Sequence, residues 1–134
     1  MKLSAQETMA ELIRFPWEPE LQDARDLTPF VARIEKLEDL CGIRIGGISA
    51  HLDSVTADGL HFVKMMAEVT GLAGLGQVLD ASVTVQCVAY DAAGRIVGVA
   101  DEMLWQSGFR GMHALSVNLF CQAKPERFVI FPRK

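Results

Sequence analysis

The stretch ASVTVQCVAYDAAGRIVGVA, residues 81–100, carries the pattern that decides the fold. Its first half alternates apolar and polar residues, and the period of two is typical of a half-buried β-strand. Asp91 suits the first position of a turn, where its carboxylate can accept backbone amides, and Gly94 suits the left-handed residue that completes a hairpin loop. A second apolar run then extends from Arg95 to Trp105. The stretch therefore predicts a β-hairpin, with one strand face formed by Val83, Val85, Cys87 and Ala89.

Similar alternation occurs elsewhere between Gly42 and the end of the chain. Ile43 and Ile45 share one face, and the phase reverses after Gly46-Gly47, which predicts a β-bulge or a tight bend there. Residues 53–59 have turn chemistry, so the segment before them and the strand expected from Leu60 to Thr70 should form a second hairpin. Two later strands are predicted at residues 112–121 and 127–131. Six or seven strands with short turns indicate a mainly β chain, an antiparallel sandwich or barrel.

The N-terminal third has helical signals instead. Ser4 and Glu7 form a capping box, which predicts a short helix over residues 5–14. Thr28 and Pro29 mark a second start, and Gly42 is a natural C-terminal stop. Between them an apolar residue recurs at every third position, which favours a helix over residues 28–41; a strand is the competing interpretation, because residues 30–34 tolerate β structure. The recurring residues are Val31, Ile34, Leu37 and Leu40.

Size and composition bound the architecture and the classes of partner. The chain has 134 residues, of which 50% are hydrophobic and 22% charged, which predicts a single globular domain over residues 1–134. Within it we expect an N-terminal helical segment, residues 1–41, and a β-sandwich, residues 42–134. A net charge of −4 argues against nucleic acid as a partner. The sequence contains no run of about 18 apolar residues, so we expect no membrane span.

The three cysteines bear on the compartment. Cys41, Cys87 and Cys121 lie far apart without a CxxC pair, and no signal peptide is recognisable, so we expect free thiols in the cytoplasm. Removal of a leader would change that expectation to export. Cys87 and Cys121 belong to inward-facing sets and should act as core residues, while Cys41 lies near the expected end of a helix, where the dipole does not activate a thiol.

The opening stretch also resembles a known family. Tyr90-Asp91 at the end of an apolar strand, Gly94 three residues later, and then residues 95–98, RIVG, resemble the FxLYD family, small immunoglobulin-like β-sandwich domains of prokaryotes without an assigned activity. The resemblance spans about residues 62–131. It departs from the family motif at Cys87, where phenylalanine is expected, and at Ala89, where leucine is expected. It implies a bacterial protein with an immunoglobulin-like sandwich, often exported, and supplies no catalytic residue.

One pair of histidines could carry chemistry. In a hairpin centred on Thr56, His51 and His61 would lie opposite each other, with Cβ atoms about 5 Å apart, and Asp53 would share their face. Such a trio could ligate zinc or act as a general base with its orienting group. This gives one candidate function, a small metal-dependent enzyme or ligand-binding protein. An ordinary solvated polar face would have the same pattern.

The other motifs point to binding. GLAGLG, residues 71–76, lacks the Lys-Ser/Thr of a phosphate loop and the helix that should follow it, so we interpret it as a connector. The loop 106–111 sets Phe109 and Arg110 between glycines, where neither is easily buried, and Trp105 and Trp17 add two large aromatic groups.

The favoured function is therefore an uncharacterised non-enzymatic module that acts through protein–protein contacts or self-association, without a cofactor. Its expected interaction residues are Trp17, Trp105, Phe109 and Arg110. Two alternatives concern the region near Trp105. The N-terminal helices could cover that sheet face, or they could enclose a ligand pocket against the sheet, as the number of Met and Phe residues suggests.

Overall fold

The computed structural model describes residues 25–72 and 79–134, and their structure is mainly β. A 3₁₀ turn covers Thr28–Phe30 and one α-helix, α1, covers Glu35–Cys41. The seven strands of the described ranges are β1 (Val31–Arg33), β2 (Ile43–Val55), β3 (His61–Gly71), β4 (Val83–Tyr90), β5 (Ile96–Leu104), β6 (Met112–Cys121) and β7 (Arg127–Arg133).

The strands form the two sheets of a β-sandwich. One sheet has the order β1-β7-β4-β5 and the other has the order β2-β3-β6. The predicted mainly β fold, with up to seven strands and a short helix before most of them, is confirmed. The named pairs are antiparallel apart from β1 and β7, which run parallel and which the sequence pattern did not reveal.

The core lies between the inward faces that the alternation predicted. Along β3, for example, Val63, Met65 and Val69 are buried, while Lys64 and Glu68 between them are exposed. β6 shows the same alternation, whereas in β4 Thr84 and Val88 are buried as well; each of the three strands still contributes every second residue to one continuous cluster. Its members from β4 and β6 are Val83, Val85, Cys87, Ala89, Leu115, Val117, Leu119 and Cys121.

Residues 28–41 are neither the single helix nor the single strand that the sequence suggested. Thr28 does not cap a helix: its hydroxyl accepts the N–H of Ala50 at 3.0 Å and so ties the segment to β2. The next residues extend as β1 along β7, and α1 begins only at Glu35. Strand pairing with a distant segment overrides the local period of three. The predicted stop is confirmed, because α1 ends at Gly42.

The helix α1 does not bury the apolar residues that the sequence pattern predicted for it, because it turns a carboxylate toward the core. Glu38 is fully buried and accepts hydrogen bonds from Arg33 Nε at 3.0 Å, Arg44 Nη1 at 3.2 Å and the buried amide of Ile45 at 3.3 Å. These contacts join α1 to β1 and β2. Leu40, a member of the predicted stripe, is 71% exposed.

The hairpin in the opening stretch has the predicted geometry. Asp91 accepts the N–H groups of Ala93 and Arg95 through its carboxylate, both at 2.9 Å, and Gly94 has φ = 82°. A side chain is strained at that φ, so glycine suits the corner. The predicted bulge in β2 is also confirmed, since the register with β3 shifts between Gly46 and Ser49.

The two sheets approach closely where β5 meets β6. The N–H of Gln122 donates to the carbonyl of Val97 at 2.9 Å, although β5 and β6 belong to different sheets. A β-carbon at position 98 would lie 2.9 Å from Cys121 Sγ and 3.3 Å from the Phe120 carbonyl oxygen. Glycine at position 98 therefore permits this contact, which closes one end of the seam between β5 and β6.

Candidate functional site

The candidate site lies at the other end of the β5–β6 seam, where the loop 105–111 crosses from one sheet to the other. The N–H groups of Gly108 and Phe109 both donate to the carbonyl of Trp105, at 3.0 and 3.1 Å, so the loop is a compact turn. This turn directs the Phe109 ring into the core, where it is buried. The expectation that Phe109 is not easily buried is therefore wrong.

Trp105 is exposed, as predicted for an interaction residue. It directly follows β5, and 64% of its surface is accessible to solvent. Met103 is also exposed, and the strand period of two places it on the same side as Trp105. The helix α1 packs against β7 and β2 and not against this end of β5. The two side chains form an apolar patch at the end of the seam.

A pocket of about 140 Å³ opens next to this patch. Its polar wall is the imidazole of His113 at the start of β6. The apolar walls include both exposed side chains of the patch and the ring of the buried phenylalanine. The lining residues are Met103, Leu104, Trp105, Gly108, Phe109 and His113.

His113 is held by a carboxylate from the opposite sheet. Its Nε2 lies 2.7 Å from Glu102 Oε2, and Glu102 Oε1 accepts the N–H of Ser116 at 3.4 Å. An ionised carboxylate only accepts, so Nε2 carries a proton, and Nδ1 is an acceptor in the neutral imidazole. Glu102 thus bridges β5 and β6 and fixes the orientation of the ring that lines the pocket.

Sequence reasoning missed this pair. Glu102 and His113 are 11 residues apart and belong to different sheets, so no local motif joins them. A signal was nevertheless present in the strand period of two. Glu102 lies on the same strand face as the buried Leu104, and His113 lies on the same strand face as the buried Leu115. Two polar residues in inward sets should have partners, and the sandwich supplies each to the other.

Arg110 lies on the same loop, and its guanidinium is oriented by the backbone. Arg110 Nη1 donates to the carbonyls of Ser107 and Phe109, both at 2.9 Å. The side chain is exposed, as expected from the sequence. These two bonds use Nη1 only, so the N–H groups of Nε and Nη2 can meet a carboxylate or a carbonyl of a partner.

The expected pairing of His51 with His61 is wrong. The turn runs from Thr56 to Leu60, whose backbone groups bond at 2.9 Å, so it is centred about two residues later than the sequence suggested. His61 consequently lies opposite Val55, and His51 lies opposite Lys64. The two rings are not cross-strand neighbours.

Asp53 does not join either histidine in a metal-binding group. A second irregularity in β2, between Leu52 and Ser54, shifts the register at Asp53, and its backbone carbonyl accepts a hydrogen bond from Arg25. Within residues 25–72 and 79–134, no group of three His, Cys, Asp or Glu side chains is arranged to hold a metal ion.

Two of the thiols have the environment that the alternation predicted. Burial raises the pKa of Cys87 to about 12, with the charge of Asp101 adding to the effect, and raises the pKa of Cys121 to about 11. Cys41 is only partly buried, and desolvation raises the pKa of its thiol as well. All three thiols are therefore poor nucleophiles at neutral pH.

Several sequence expectations fall on residues outside the described ranges. These are Trp17 as an interaction residue, the capping box with its helix over 5–14, and most of the glycine-rich connector.

The chain was compared with family models, curated proteins and solved structures. No family model, no curated protein and no solved structure matches it. Among the described residues, no helix has the length and apolar character that a membrane crossing requires.

Proposed function

We propose that the protein is a non-enzymatic β-sandwich module that binds another protein through its seam surface, formed by Met103, Trp105 and Arg110 around the pocket beside His113. The observation that carries the proposal is the exposure of Trp105 at the mouth of that pocket. We include in the proposal the resemblance to FxLYD domains, which are sandwiches without an assigned activity.

The composition of the seam surface fits an interface centre. Tryptophan and arginine are the residues most enriched among those that dominate binding energy, and methionine is also common there. An exposed tryptophan retains a large apolar area in water: burying the exposed part of Trp105 would contribute about 3 kcal/mol. A partner side chain that enters the pocket would meet apolar walls and one hydrogen-bond acceptor, His113 Nδ1.

Hydrogen bonds hold part of the seam surface in place before binding, which lowers the entropic cost of binding. Trp105 receives two backbone hydrogen bonds through its carbonyl, Arg110 is held by two loop carbonyls, and His113 is held by Glu102. Side chains that are oriented before binding lose less freedom when the partner arrives. The pairing of Glu102 with His113 therefore supports recognition without any catalytic step.

Crosslinking from two matched positions tests this proposal. Phe120 is 65% exposed but lies at the far end of β6, so it serves as a control for Trp105. A photoreactive residue placed at 105 in cells should capture a defined protein that the same residue at 120 does not capture. With that protein purified, Trp105→Ala should weaken binding by about 30-fold, which corresponds to about 2 kcal/mol, while Phe120→Ala should leave the Kd unchanged.

Two results would change the interpretation. If Trp105→Ala, shown to be folded by circular dichroism, binds as tightly as the wild type, the seam surface is not the interface. If residue 105 crosslinks only to a second copy of the chain, and light scattering shows a dimer that Trp105→Ala dissociates, self-association is the function of this surface.

A second candidate function is supported by one observation, the 2.7 Å contact between His113 and Glu102 beside a pocket. A histidine oriented by a carboxylate can act as a general base on a bound water molecule. Hydrolysis of a panel of small chromogenic esters would test this. Activity that His113→Gln abolishes and His51→Gln retains would favour the enzyme, and a rate equal to that of buffer would remove it.

A further inference from the structure

A second apolar groove lies between α1 and the end of β7. It has a volume of about 270 Å³, close to the lower limit for small-ligand sites. One wall is the C-terminal half of the helix and the other is the last part of the strand. Its apolar lining is Leu37, Leu40, Cys41, Phe131 and Pro132.

The groove exists because of how α1 packs. The helix turns Glu38 into the protein, where two arginines and a backbone amide bind it, and this leaves the leucines on the neighbouring faces without core partners. Leu40 is the most exposed of the large apolar side chains in the described ranges. A ligand that covers Leu40 would remove that surface from water without any rearrangement of the fold.

One end of the groove is positively charged. Arg133 and Lys134 line it, and neither makes an ion pair with a carboxylate of residues 25–72 or 79–134. Among the described residues, the Arg133 guanidinium makes one long hydrogen bond, to Gln86 at 3.4 Å. Lys134 lines the same groove as Cys41; desolvation raises the pKa of the Cys41 thiol, and the charge of Lys134 acts against that effect.

We propose that this groove binds a medium-chain carboxylate, with the alkyl chain along Leu37, Leu40 and Phe131 and the carboxylate between Arg133 and Lys134. An apolar wall beside two cations that have no carboxylate partner among the described residues is complementary to a molecule with an apolar chain and one anionic head. This proposal is independent of the seam surface, because the groove and the pocket beside His113 share no lining residue.

Cys41 provides a direct probe of occupancy. It lines the groove and is only partly buried, whereas Cys87 and Cys121 are buried in the core, so iodoacetamide should modify Cys41 selectively in the folded protein. The rate of that reaction is measured with increasing octanoate, and binding is measured in parallel by isothermal titration calorimetry. Octanol keeps the chain without the carboxylate, and butyrate keeps the carboxylate with a shorter chain.

Octanoate should slow the alkylation of Cys41 and bind more tightly than either control compound. Arg133→Gln and Lys134→Gln should each weaken octanoate binding by about two- to fivefold, the range for partly exposed ion pairs, and should leave octanol binding unchanged. Leu40→Asp, which changes an exposed residue, should weaken octanoate binding by at least about tenfold. Lys124→Gln removes a charge far from the groove and should have no effect.

The proposal fails if a large excess of octanoate changes neither the rate of Cys41 alkylation nor the calorimetric signal of the wild type. It also fails if octanol binds as tightly as octanoate, because the cations then have no role. Equal weakening by Lys124→Gln and Lys134→Gln would show a general effect of net charge and would overturn the assigned position of the carboxylate.

Discussion

Replacing Glu38 by alanine should remove the polar contacts that join α1 to the two sheets. The carboxylate accepts bonds from Arg33, Arg44 and the backbone amide of Ile45, and it is fully buried. Alanine leaves the amide without an acceptor and the two guanidinium groups without their shared anion. A smaller side chain also leaves space beneath the helix.

The expected cost follows from the exposure of each partner. The buried amide of Ile45 loses its acceptor, at about 1–3 kcal/mol. The side chains of Arg33 and Arg44 are 30% and 39% exposed, so they can turn to water, and the loss of each ion pair costs only about 0.5–1 kcal/mol. Together these effects lower the free energy of unfolding by about 2–5 kcal/mol, a large part of the stability of a small domain.

Urea unfolding followed by far-UV circular dichroism measures this change, with the m-value checked for constancy. Glu35→Ala is the matched control, because Glu35 is in the same helix and pairs with Arg33 at 3.0 Å but is exposed. It should cost less than about 0.5 kcal/mol. Glu38→Gln should fall between the two, since an amide keeps one acceptor oxygen for Ile45 and faces Arg33 with a donor.

Equal effects of Glu38→Ala and Glu35→Ala would refute the reasoning, because burial would then not distinguish the two carboxylates. A loss of less than about 0.5 kcal/mol for Glu38→Ala would have the same meaning. A stability gain for Glu38→Leu would not refute the reasoning, since replacement of a buried ion by an apolar group can stabilise a protein.

Three further outcomes are expected. Gly98→Ala should lower the free energy of unfolding by about 1–3 kcal/mol, because the new methyl group would meet Cys121 Sγ at 2.9 Å; an unchanged urea midpoint would show that the seam can widen. Iodoacetamide should label Cys41 alone in the native protein, as detected by mass spectrometry, because burial raises the pKa of Cys87 to about 12 and of Cys121 to about 11; early labelling of Cys87 contradicts this. Bonds from backbone N–H groups, that of Arg95 above all, lower the pKa of the Asp91 carboxyl below 3.8, so it stabilises the fold above that pH and less as the pH falls through its folded value. The stability difference between the wild type and Asp91→Asn should therefore shrink on acidification, and a difference that grows would refute the assignment.

The hairpin of residues 81–100 shows which features can be predicted from the sequence. Alternation in Val83 to Ala89 identified the buried face, and Asp91 and Gly94 identified the corner, because both signals come from neighbours along the chain. Such local signals did not predict the register of the hairpin formed by β2 and β3. Moving the turn by two residues separates His51 from His61 without changing which strand faces are buried.

The same limit applies to the site. Trp105 at the end of a strand and Arg110 on the following loop were expected to be exposed, and they are, but Phe109 next to Arg110 is buried, because the fold of this turn decides which side chain points inward. The contact of Glu102 with His113 joins two sheets. Nothing in the spacing of these two residues along the chain specifies that the sheets meet there.

The sequence by itself determined the strands after Gly42, most of their buried faces, the hairpin corner at Gly94, the bulge in β2 and the two core thiols, since each depends on a local period or on a single residue's backbone preference. The tertiary structure alone decided that residues 31–33 pair with β7, that Glu38 and not Leu40 is buried, and that His113 has a carboxylate partner. These features depend on which distant segments pack together, and that choice is made by the free energy of the whole sandwich rather than by any segment of it.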